Sequence, residues 1–72
     1  MYYLYFVSMF QTITLKSGDR YNTISNGTAK LRYPIGDFES LVRAEKLLAK
    51  DTMSKNPEIA SILVTITSYQ HI

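Results

Sequence analysis

From Tyr2 to Val7 every position is apolar or aromatic, and from Gln11 the chain alternates, with Ile13 and Leu15 on one side and Thr12 and Thr14 on the other. This density of aromatic and β-branched residues predicts a strand over 2–16, covered on both faces in its first half. Ser17-Gly18-Asp19 predicts a turn. The chain then returns in extended form over 20–33, long enough to pair with the first strand along its length. Asn26-Gly27 interrupts that return. As a hairpin turn it makes a fourth strand; as a bulge in one long second strand it gives Gly27 a positive φ. The matched strand lengths favour a bulge or local irregularity.

Pro34 ends the second strand, and Asp37 is placed to cap a helix with its carboxylate on free N–H groups at the positive end of the helix dipole. The spacing predicts a helix over 37–51. Phe38, Leu41, Val42, Ala44, Leu48 and Ala49 share one broad arc, which packs on the sheet. Two residues break the pattern: Glu45 lies inside the arc, and Leu47 lies opposite it, towards water. Thr52 to Glu58 reads as a polar loop, with Pro57 barring further helix. A last strand over 59–69 places Ile62, Val64 and Ile66 on one face and Leu63, Thr65, Thr67 and Tyr69 on the other.

Charge placement then constrains topology. All 8 Lys+Arg and 6 Asp+Glu fall between Lys16 and Glu58. The two uncharged ends therefore meet inside the structure, and a first strand in the sheet centre lets them adjoin. The expected fold is α+β: a single domain over 1–72, order ββαβ, with one helix on one face of a three-stranded, antiparallel-rich sheet, or four-stranded if Asn26-Gly27 is a hairpin.

Composition removes several classes of function. The chain has 72 residues, no Cys and one His, so neither a disulfide framework nor a Cys- or His-cluster metal site is available to it. A net charge of +2 is far from a nucleic-acid-binding tail. Ser8 and Gln11 interrupt the first apolar run, and no stretch approaches the ~18 apolar residues that span a bilayer. The expectation is a soluble protein of the cytoplasm, with no membrane partner and no cofactor.

The Tyr-rich opening Tyr2-Tyr3-Leu4-Tyr5-Phe6-Val7-Ser8, the Gly18-Asp19-Arg20-Tyr21-Asn22 turn, the helix spacing Ile35, Phe38, Leu41, Ala44-Glu45, Leu48, and the closing strand Ile62-Leu63-Val64-Thr65-Ile66 together resemble a group of small phage- and prophage-encoded accessory proteins of strand–strand–helix–strand plan. The longer first hairpin and Leu47 depart from that pattern. These are packing motifs, so the resemblance bears on fold and origin. It implies a mobile-element protein that acts by binding and blocking a host component, an antiviral defence factor such as a CRISPR-Cas component among them, in the host cytoplasm.

Catalytic chemistry finds little support in the residues. His71 stands next to the C-terminus, where it makes a poor general base for a Ser or Thr nucleophile. Asp37 and Glu45 are eight residues apart, ~12 Å along a helix, too far for shared acid–base work. Gly18, Gly27 and Gly36 are isolated turn residues, not a phosphate-binding loop. The expectation is a binding protein without enzymatic activity.

Three binding modes follow. One helix covers one sheet face, so of the two sets on the first strand, Tyr3, Tyr5, Val7, Met9 and Leu4, Phe6, Phe10, one must stay uncovered; such a surface marks an interaction site or a homo-oligomer. The candidate contacts for a host protein are Tyr3, Tyr5, Tyr21, Arg32 and Tyr69. Alternatively, an oligomer holds a small nucleotide signal, with Arg20, Lys30 or Arg32 on phosphates and tyrosine rings on bases. The third mode is single-stranded nucleic acid on Lys30 and Arg32 with Tyr21 and Tyr33 interleaved, against the plainer role of those cations as protection for an edge strand. Arg43, Lys46 and Lys50 read as a solvated helix face shared with Glu39, and Glu45 as a carboxylate that reaches the seam between helix and sheet or pairs with a second-strand cation.

Overall fold

In the computed structural model, which describes residues 1–72, the two uncharged ends lie side by side in one antiparallel sheet. The elements are β1 (Tyr3–Leu15), β2 (Arg20–Leu31), α1 (Phe38–Lys55) and β3 (Ile59–His71), and the sheet order is β2-β1-β3. β1 is central and pairs antiparallel with both neighbours, as the charge placement requires. The fold is a small α+β domain with a single helix on an open three-stranded sheet.

The β1–β2 hairpin turns at Gly18, the one residue with a positive φ (98°), while Leu15 N–H donates to the Asp19 carbonyl (2.8 Å). A left-handed residue at that corner is what glycine supplies without steric cost. From there the register runs unbroken from Thr14↔Arg20 to Tyr3↔Leu31. Asn26-Gly27 is neither a turn nor a bulge: Asn26 faces Ser8, Gly27 faces Val7, and Gly27 has an ordinary strand φ. Thirteen continuous residues of β1 hold β2 straight through a dipeptide that in isolation favours a turn.

The irregularities fall in β3. Ser8 pairs with Ser68 and Met9 with Ile66, so Thr67 is an extra residue; Thr14 pairs with Ser61 and Leu15 with Ile59, so Ala60 is another. Each inserted residue reverses the alternation of side chains beyond it. Ile62, Val64 and Ile66 face the helix as expected, but Tyr69 pairs with Val7 and joins the helix side, apart from Leu63 and Thr65. His71 is the last residue of β3, paired with Tyr5, rather than part of a loose end.

The odd-numbered residues of β1 build the core. Tyr5, Val7 and Met9 pack with Ala29, Leu31, Ile35, Ala44, Val64 and Ile66. Ala44 (0% exposed) is the one fully buried helical residue, packed in the core, and Leu31 (1%) is the largest side chain fully removed from water. Burial of a leucine of that kind contributes about 1.5–3 kcal/mol. Gln11 is buried on the same face, its amide directed at the Met9 sulfur (3.4 Å).

The helix begins where the sequence places it. The Asp37 carboxylate accepts from Ser40 N–H (2.8 Å), and the Ser40 hydroxyl accepts in return from Asp37 N–H (3.1 Å). The reciprocal pair satisfies two donors that the first helical turn leaves open. At the other end α1 continues through the expected polar loop, to Lys55 instead of Asp51. Thr52 and Ser54 return their hydroxyls to the Leu48 and Asp51 carbonyls, and the Asn56 amide donates to the Thr52 carbonyl (2.9 Å). The polar residues close the helix from within, and it stops at Asn56 (φ −134°, ψ 84°), held out of the helical region just before Pro57.

Candidate functional site

The helix covers the face that holds Tyr3 and Tyr5, so the uncovered set is Leu4, Phe6 and Phe10. Tyr5 is buried, and its hydroxyl accepts from Ile35 N–H (2.9 Å), tying the helix approach to the central strand. It is a structural residue with no surface to offer a partner. Tyr3 is half-buried, and Tyr69 packs edge-on against Tyr5 at 5.9 Å. His71 lies 5.0 Å from the Tyr5 ring and 6.0 Å from Tyr3. Tyr21 is exposed, but at the far end of β2 and on the helix side. Of the five candidate contacts, Tyr3, Tyr5 and Tyr69 thus lie together under the helix side, and Tyr21 lies at the far end of β2 on that side. The bulge at Thr67 draws Tyr69 to the helix side, and the parity of β1 places Tyr3 and Tyr5 there.

The open face is organised by cross-strand neighbours. Phe10 sits between Ile24 and Thr65, and Leu63 is diagonal to it across Thr12. Phe6 (58% exposed), Ile24 (78%) and Leu63 (66%) are among the most exposed apolar side chains of the protein. A polar belt divides the Leu4–Phe6 end from the Phe10–Ile24–Leu63 end: Ser8 Oγ donates to Asn26 Oδ1 (2.9 Å), with Ser68 on its other side. Thr12 makes the same bond to Asn22 (3.0 Å). Arg20 and Lys30 mark opposite ends of β2 on this face, ten residues and ~33 Å apart. Between them no side chain carries a charge.

Arg20 is therefore too far from Lys30 and Arg32 to share a phosphate with them. Other cations gather instead. A groove of about 630 Å³ along the outer edge of β2 is lined by Tyr2, Lys30, Arg32, Tyr33, Arg43, Lys46, Leu47 and Lys50. Lys30, Arg32, Arg43, Lys46 and Lys50 are five of the protein's 8 basic residues, and no carboxylate lines the groove. Lys30 Nζ stands 4.2 Å above the Tyr2 ring and the Arg32 guanidinium 5.8 Å from it; Arg43 lies 5.2 Å from the Tyr33 ring. Tyr33 carries a buried hydroxyl with no hydrogen-bond partner. The helical contributors 43, 46, 47 and 50 follow the i, i+3, i+4, i+7 spacing of one helix stripe. All four are exposed, as expected of a solvated helix face with Leu47 towards water, and the stripe lies beside the end of β2.

Glu45 turns the other way, to the opposite edge of the sheet. Its Oε2 accepts from Ile66 N–H at 2.7 Å. The carboxylate in the apolar arc thus serves a backbone donor of edge strand β3, at the seam, and pairs with no cation. No group of three or more His, Asp or Glu side chains is disposed to hold a metal ion, and no helix is long and apolar enough to cross a membrane.

No family model matches the chain, and no curated protein or solved structure is similar to it at a significant level.

Proposed function

We propose that this protein is a binding module that works by laying the open face of its sheet on another protein. The observation that carries this is the charge-free centre of that face, where Phe6, Phe10, Ile24 and Leu63 stand exposed while Arg20 and Lys30 lie at its ends. Depletion of charge at the centre, with exposed aromatics and a polar rim, is the compositional mark of protein interfaces. Three strands of about a dozen residues give a footprint on the order of 500 Å² in projection, within range of a standard interface of ~800 Å² accessible area per partner.

The polar belt favours a different protein over a second copy. Ser8, Asn26, Thr12 and Asn22 already satisfy one another, so the face is tolerable in water and is less apolar than the faces that hold obligate dimers together. The resemblance to phage and prophage accessory proteins adds a host protein, inhibited by occupation of its surface, as the class of target.

The test begins with mass by light scattering. A free monomer of 8.3 kDa is expected, together with a complex from host lysate that survives Lys46→Gln and is lost in the Phe6→Ser, Phe10→Ser double variant. Both substitutions are on exposed side chains, and far-UV circular dichroism checks that the fold persists. A stable dimer abolished by the same double variant gives the face to a second copy and overturns the proposal. Equal capture by wild type and double variant overturns it as well.

A further inference from the structure

The cationic groove lies beside β2 and is distinct from the centre of the open face. We infer that it binds a small molecule carrying several phosphates on an aromatic base, in the class of the nucleoside di- and triphosphates.

Five like charges held around one groove repel each other, and proteins relieve such repulsion with paired carboxylates or with bound anions. Glu45 is turned to the Ile66 backbone and Asp51 to Lys55 (3.1 Å), and of the five groove cations Arg43 alone makes an ion pair, with Glu39 at 3.4 Å. Three of the cations rest on tyrosine rings. A ring positions a cation without cancelling its charge, so Lys30 and Arg32, which make no ion pair, are oriented and still available to phosphate oxygens. Arginine adds bidentate geometry suited to phosphate. Tyr2 remains half-exposed, with surface left for a base to stack. The volume, about 630 Å³, lies within the range of small-molecule sites.

Extended single-stranded nucleic acid fits less well. It requires a basic track with aromatic rings along it. The remaining cations, Lys16, Arg20 and Lys55, lie towards the opposite end of the molecule, whose long axis is 38 Å. The aromatics of the open face, Phe6 and Phe10, have no cations alongside them.

The experiment is isothermal titration at low ionic strength with four probes: ATP, inorganic pyrophosphate, adenosine and an eight-nucleotide oligo-dT. ATP is expected to bind more tightly than pyrophosphate, and adenosine far more weakly than either. The Arg43→Gln, Lys46→Gln pair weakens ATP by on the order of tenfold per cation removed. Tyr2→Ala removes the advantage of ATP over pyrophosphate, weakening ATP more than pyrophosphate, which loses only the orienting effect of the ring on Lys30 and Arg32. The Lys16→Gln, Lys55→Gln pair, outside the groove with the same net charge change, stays within about twofold of wild type by comparison with the tenfold effect above. Amide chemical shifts assign the site to β2 and the 43–50 stripe. Equal losses in both double variants signify non-specific charge attraction and overturn the inference. It is also overturned by no binding of ATP, by ATP no tighter than pyrophosphate, or by oligo-dT that outcompetes ATP and depends on Arg20. The Phe6→Ser, Phe10→Ser variant retains ATP binding, so failure here leaves docking through the open face standing, and the converse also holds.

Discussion

Replacing Glu45 with alanine tests how the helix is fastened to the sheet. β3 is an edge strand, so half of its backbone groups have no strand to pair with. One of these outer donors, Ile66 N–H, is met at 2.7 Å by Glu45 Oε2, on a residue that is itself buried in the core. A hydrogen bond to a charged group contributes about 1.5–3 kcal/mol; Glu45 is half-buried, so about 2 kcal/mol is the fitting part of that range. For a domain this short, that loss lowers the melting temperature by roughly 8–16 °C. Glu45→Gln keeps an acceptor oxygen and loses only its charge, so it costs about half as much. Urea and thermal unfolding followed by circular dichroism give the stabilities, and hydrogen exchange gives the local effect: the Ile66 amide exchanges faster in the alanine variant, ahead of its β1-paired neighbours. A Glu45→Ala protein within about 0.5 kcal/mol of wild type, the range of an ordinary surface substitution, or one in which glutamine costs as much as alanine, refutes the account.

Leu31→Ala opens a cavity at the most enclosed large side chain and costs about 2–5 kcal/mol in urea unfolding. Tyr33→Phe removes a buried hydroxyl with no partner, so its chemical-denaturation midpoint rises, by up to about 1–2 kcal/mol in stability. Acid unfolding reports on the helix cap. The Ser40 N–H and then the Ser40 hydroxyl hold the Asp37 carboxyl below its ordinary 3.8; desolvation opposes them, and Arg43 adds the smallest contribution in their favour. The unfolded chain therefore binds that proton more readily than the folded one. The cap's contribution is complete above about pH 3.8 and is lost as the pH falls through the lower folded value. Melting curves taken on both sides of pH 3.8 lose part of their acid dependence in Asp37→Asn, which cannot titrate.

The element order, the central position of β1 and the helix cap are legible in the sequence because each rests on a local or compositional rule. Uncharged ends must adjoin, an Asp before an apolar arc caps, and matched strand lengths pair. The misjudged features depend on long-range context. Asn26-Gly27 carries a turn signal that is overridden by pairing with Ser8 and Val7, residues about twenty positions earlier. Tyr69 changes sides because Thr67 is inserted opposite β1, and nothing in Thr65-Ile66-Thr67-Ser68 announces that insertion. The end of the helix is missed for a different reason: Thr52 and Ser54 fold their hydroxyls back onto the Leu48 and Asp51 carbonyls and Asn56 caps the open Thr52 and Met53 carbonyls, so a polar run that resembles a loop stays helical and closes on a cap.

The groove is hidden from a linear reading because its two halves are individually ordinary. Lys30 and Arg32 protect a strand edge, and Arg43, Lys46 and Lys50 make a soluble helix face. Only the packing of Ala44 against the sheet brings the 43–50 stripe beside the end of β2. Lys30 then acquires a double position. It leaves β2 on the open side, opposite Leu4, while its ammonium reaches over Tyr2 into the groove. A partner seated on the open face would meet Lys30 at its rim, and a phosphate in the groove would draw the same ammonium away from that rim. Two ligands that compete for one side chain are coupled, and the coupling is reciprocal. A single surface lysine carries modest energy, so such a link would adjust one proposed site by the state of the other, with the apolar centre around Phe6 and Phe10 setting the larger part of docking on the open face.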